Sequence, residues 1–127
     1  MTKRSLADLS FDLDNFQAHL SPTGMRLQGS LQFRSPAEAL GTWLREVHDA
    51  ILRSRLREFQ VDVTGLQHVN SSSLFLFIDW ARWIANVPQQ ERYRLNFLTR
   101  PAVSWQQLSL PTMQRICAGY IHVTLVE

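Results

Sequence analysis

Asn70-Ser71-Ser72-Ser73 sets an amide and three hydroxyls in a row between an alternating apolar segment and a longer, almost continuous one. Asn and Ser lead the ranking at helix N-caps, where a side-chain oxygen accepts from an N–H that the helix leaves unpaired. The same place suits phosphorylation, because unpaired N–H groups and the positive end of the helix dipole favour a phosphate. A phosphoryl group on Ser71 or Ser72 would add about −1.5 to −2 of charge to the surrounding surface, enough to release a docked partner by repulsion or desolvation. Two readings therefore stand side by side: a phosphorylatable switch, or a helix cap with polar filler around it.

Other chemistries have less behind them. Asp62, His68 and Ser71 are the residue types of a hydrolase triad, but the G-x-S-x-G elbow is missing, and no catalytic residue is assigned. Neither a G-x-x-x-x-G-K-S/T loop nor a G-x-G-x-x-G fingerprint occurs, so no nucleotide or other cofactor is expected. His19, His48, His68 and His122 never fall at the i, i+4 spacing of a helical metal site. Cys117 is the single cysteine, which forbids an intramolecular disulfide and reads as a small buried apolar side chain in a reducing compartment. Trp43, Trp80, Trp83 and Trp105 lie at helical spacings, as core or interface residues do.

The elements that must position the Asn70 turn follow from periodicity. Met25, Leu27, Leu31 and Phe33 alternate with polar residues, and Ser21-Pro22-Thr23-Gly24 supplies the turn of a hairpin. Ser35-Pro36-Ala37-Glu38 combines an N-cap, a first-turn proline and a capping-box glutamate, opening an amphipathic helix of about five turns through Leu40, Trp43, Leu44, Val47 and Ile51. Arg53, Arg55 and Arg57 at its end suit the negative pole of the helix dipole as well as they would suit a nucleic acid. Phe59, Val61 and Val63 predict a strand ending at Gly65, and Leu74 to Val87 a largely buried helix. Tyr93, Leu95 and Phe97 predict the next strand. A helix from Val103 to Ile116 should then be split or kinked at Pro111, with Gly119 capping it before a strand from Tyr120 to Leu125.

The order β-β-α-β-α-β-α-β implies an α/β fold, a mixed and mostly parallel sheet with helices packed on it. Residues 1–13 have no sustained period and read as a lightly docked segment, with one domain over 14–127. The 127 residues suffice for a single core, and 45% hydrophobic with 19% charged residues excludes disordered and low-complexity classes. A net charge of +2, carried by twelve Arg and one Lys against eleven acids, is too small and too dispersed to point to nucleic acid. The longest apolar run, Leu74 to Ile78, stops at Asp79, far short of the roughly 20 residues that span a bilayer. With no secretion signal after Lys3 and Arg4, a cytoplasmic location is expected.

The stretch from Phe59 to Leu76 resembles the central segment of STAS domains, the fold of bacterial anti-sigma factor antagonists and of sulfate-transporter tails. Asp62 and Thr64-Gly65 match that family's strand-end signature; Ser71 stands at its phosphorylatable serine and Ser72 at its second hydroxyl. Asn70 replaces the family's usual Asp, and Ser73 its usual Gly. The resemblance implies a non-enzymatic signalling module that binds an anti-sigma factor or serine kinase, through Asp62, Thr64, Gly65, His68, Asn70, Ser71, Ser72, Ser73 and Phe75. Phosphorylation at Ser71 or Ser72 would then switch docking. The alternative is a constitutive scaffold or transporter-associated subunit that is never phosphorylated, and either version could form a homodimer.

Overall fold

The computed structural model describes residues 5–32, 36–117 and 119–126. Six strands, β1 (Phe11–Leu13), β2 (Phe16–Ser21), β3 (Gly24–Leu31), β4 (Glu58–Val69), β5 (Arg94–Thr99) and β6 (Ile121–Leu125), form one sheet in sequence order. The first three are antiparallel and the last three join β3 in parallel. Helices α1 (Pro36–Ser54), α2 (Ser71–Ala85) and α3 (Ser104–Ile116) make the parallel connections.

The α/β class with a mixed sheet is as the periodicities imply, and the hairpin turns between Ser21 and Gly24. The observed order has one strand more than expected. β1 is only three residues long, too short to show a period, and it extends the sheet beyond the hairpin. A 3-10 turn at Leu6–Asp8 precedes it, and both Leu6 and Leu9 are buried in the core. The Leu9 carbonyl accepts from the Trp43 indole at 2.6 Å, tying this segment to α1. The expected capping role of Ser35 lies outside the described residues, as does the Glu38 side chain.

Phe59, Val61, Val63 and Leu66 of β4, Leu95 and Phe97 of β5 and Met25 and Leu27 of β3 point into one continuous core. Leu44, Val47 and Ile51 of α1, Phe77, Trp80 and Ile84 of α2, and Leu110 and Met113 of α3 close that core from the helix side. The opposite sheet face is polar, with Arg26, Gln60, Arg94 and His122 exposed on neighbouring strands. Gly29 is essential to the β2–β3 pairing. Its φ is +93°, and a Cβ there would lie 1.8 Å from the Asn15 carbonyl oxygen, which accepts from Ser30 N–H.

One expectation for the strands needs correction, and two others are narrowed. β4 does not stop at Gly65 but runs on to Val69. Two register shifts against β3 each insert one extra β4 residue, between Asp62 and Gly65 and between Leu66 and His68, so the simple alternation is lost there. α3 is one helix through Pro111, which is exposed, so the segment is not split into two. Of the core and interface roles open to it, Trp43 takes the core one, buried against Phe11 and Phe16. Gly119, at φ +93°, does take the left-handed conformation just after α3.

Candidate functional site

β4 carries the chain to the sheet end at which α2 begins. Asn70 N–H donates to the Leu31 carbonyl at 3.0 Å, so the last residue before α2 is still anchored to β3. Its backbone is extended (φ −83°, ψ 166°) and its Oδ1 accepts from Ser73 N–H at 3.0 Å, the geometry of an N-cap. Ser71 and Ser72 follow as the first two helical residues, both exposed. Their N–H groups belong to the first turn, which has no intrahelical acceptors to offer them. Phe75 lies one turn further on, and 62% of its surface meets solvent.

Ser73 does not share this surface. It is fully buried, and its Oγ has no hydrogen-bond partner. It borders a small apolar void between Phe16, Leu27, Leu31, Leu40, Trp43 and Phe77. Three residues past the cap, the helical period turns the side chain inward, so Ser73 cannot contact a partner as expected from the resemblance.

Asp62, Thr64 and Gly65 are also set apart from the turn. Asp62 Oδ1 accepts from Thr64 N–H at 2.9 Å and from Thr64 Oγ1 at 2.6 Å, a closed local arrangement on the open sheet face. Gly65 sits in the irregular β3–β4 pairing, where a Cβ would approach Gln28 Cγ at 3.2 Å. Six residues of extended chain, about 20 Å, separate Asp62 from His68, so the triad residue types do not converge with Ser71. The structure thus divides the expected set: Asp62, Thr64 and Gly65 within the sheet, and His68, Asn70, Ser71, Ser72 and Phe75 around the start of α2.

His68 is exposed beside a groove of about 340 Å³ formed with Gln32, Val69, Val103 and Trp105. This groove exists because β4 outruns β5. Pairing between them ends at Asp62–Leu98, and beyond it α3 substitutes side chains for the missing strand. Gln106 Nε2 donates to the Val63 and Leu66 carbonyls at 2.6 and 3.2 Å, Trp105 Nε1 donates to the Leu66 carbonyl at 2.8 Å, and Gln106 Oε1 accepts from Arg100 N–H at 2.7 Å. Sequence reasoning passed over Gln106. A lone Gln in an amphipathic helix carries no signal until the length of β4 is known.

Titratable groups with displaced pKa values lie elsewhere. His48, between α1 and β5, is lowered from 6.5 to about 4 by burial and, secondarily, by the Arg45 charge. Its Nδ1 lies 2.6 Å from Tyr93 Oη, which also accepts from Trp80 Nε1 at 2.6 Å. Tyr93 is itself raised by burial. Burial also raises the Cys117 thiol. Among the described residues, no group of three or more His, Cys, Asp or Glu could hold a metal ion. Among the same residues no helix is long and apolar enough to cross a membrane.

Comparison of the chain with protein-family models, with curated proteins and with solved structures returns no match.

Proposed function

We propose that this chain is a non-enzymatic, STAS-like docking module whose Asn70–Ser72 turn and Phe75 engage a protein partner, and that phosphorylation of Ser71 or Ser72 releases it. The observation that carries this reading is the joint exposure of Ser71, Ser72 and Phe75 around a helix start already capped by Asn70. Two hydroxyls stand where a kinase can reach them and where first-turn N–H groups can receive the phosphate. An apolar anchor stands one turn away, where added charge would oppose its burial. The implied partner is a serine kinase of the anti-sigma type, acting in the cytoplasm of a bacterium, and ATP is consumed by that kinase.

A constitutive variant of the same module, a scaffold or transporter-associated subunit, is favoured by one observation. Asn70 caps the helix without a carboxylate, so the turn lacks the charge that the resembled family usually carries beside its modified serine. The two versions separate in one experiment. The chain is incubated with ATP and a serine kinase of the anti-sigma type, and phosphate incorporation is read by intact mass. Incorporation of one phosphate, lost in the Ser71→Ala, Ser72→Ala double variant, is the expected result. A double variant that gains the same phosphate overturns the switch, whereas no phosphate on either chain, with docking still weakened by Ser71→Asp, selects the constitutive version.

A further inference from the structure

The two ends of the sheet are protected very differently. β1 is three residues long and offers little edge to pair with. β6 is five residues long, carries neither Lys, Pro nor any acidic side chain, and pairs with β5 alone. The Leu95 N–H bond to the Tyr120 carbonyl and the Val126 N–H bond to the Thr99 carbonyl show that even-numbered residues face β5. The backbone groups of Ile121, Val123 and Leu125 therefore point away from the sheet.

Two of these N–H groups are taken from within the chain. Ile121 N–H donates to the Cys117 carbonyl at 3.1 Å, and Val123 N–H donates to Gln114 Oε1 at 2.7 Å. Gln114 is thus a side chain of α3 reaching across to plug the middle of an open edge. The apolar surface around that edge is unusually exposed. Of the four large hydrophobic residues with substantial exposure among those described, Leu125 and Val126 lie in β6 or directly after it.

We propose that the outer edge of β6 pairs antiparallel with the same strand of a second copy of this chain, across a two-fold axis at Val123, with the Gln114 amide as the latch that opens to admit it. The strand is self-complementary about that point. Ile121 faces Leu125 of the second copy and Val123 faces its equivalent, all on the helix side, while His122 meets Thr124 on the polar side. Apolar meets apolar and polar meets polar, and no like charges oppose one another. Leu125, 53% exposed in the single chain, gains a partner, and the two sheets join into one. This interface is independent of the Ser71 turn, which lies at the start of another helix.

Sedimentation velocity of the full chain through the micromolar range tests the proposal. The expected result is a concentration-dependent dimer, bound about tenfold more tightly in Gln114→Ala, where the competing acceptor is gone. An association seen only in Gln114→Ala also supports the latch. Leu125→Lys should be folded, because the site is exposed, and monomeric, because it puts a charge against Ile121 of the second copy. As an independent readout, Val123→Cys in a Cys117→Ser background should form a covalent dimer under mild oxidation. A wild-type chain and a Gln114→Ala chain that both stay monomeric overturn the proposal. So does a dimer that Leu125→Lys leaves intact, or one that Phe75→Asp dissolves in its place.

Discussion

Ser73 shows how one atom can mark a mismatch between a local motif and the fold around it. Its hydroxyl is sealed among Phe16, Leu27, Leu40 and Phe77 with nothing to bond to, at a position where the helix needs only a small side chain. A buried polar group without a partner costs about 1–3 kcal/mol, so Ser73→Ala should raise stability by about 1 kcal/mol in urea unfolding. A loss of stability on the same substitution would show that the hydroxyl is satisfied. A cap at Asn70 or Ser71 was legible from residue type, because Asn and Ser lead the cap ranking, and the structure gives it to Asn70. The inward turn of Ser73 was not. Three consecutive serines look alike in a sequence, and only the helical phase separates the exposed pair from the buried third.

At the scale of elements, β4 is the member that decides where the candidate site sits. Its last seven residues have a strand on one side only, and Gln106 closes the other side by bonding Val63 and Leu66 while accepting from Arg100. Gln106→Leu keeps the volume but strands the Val63 carbonyl and the Arg100 N–H and leaves the Leu66 carbonyl to Trp105 alone, and should cost about 1–3 kcal/mol in urea unfolding. Gln106→Glu should cost at least as much, since it removes the donor and buries a charge. The hairpin, α1 and the early part of β4 could be read from alternation and turn residues, because each follows one period without interruption. The extension of β4 could not, since each bulge moves the next side chain to the other face and Gly65 mimics a stop. β1 was hidden by brevity, and the single length of α3 by a proline that could equally have split it.

Over the whole molecule, α1, α2 and the residue before β5 meet at a hydrogen-bond chain in which Trp80 donates to Tyr93, and Tyr93 Oη is hydrogen-bonded to Nδ1 of an unprotonated His48. His48 binds a proton near pH 4 when folded and near its ordinary 6.5 when unfolded, so the unfolded chain takes up protons first as pH falls. The stability this site contributes is fully present above pH 6.5 and is lost between pH 6.5 and 4. The melting temperature should therefore decline across that window as pH falls, and less steeply in His48→Gln, whose amide can hydrogen-bond Tyr93 without titrating. An equal slope in both chains would remove His48 as the cause. The groove beside His68 has a consequence for how such a molecule could be watched at work. Trp105 bonds the Leu66 carbonyl beside the stretch of β4 that leads to Asn70. If the Asn70 turn docks a partner as proposed, indole emission should change on binding and the change should be lost in Trp105→Phe; an equal change in that variant would remove Trp105 as its source.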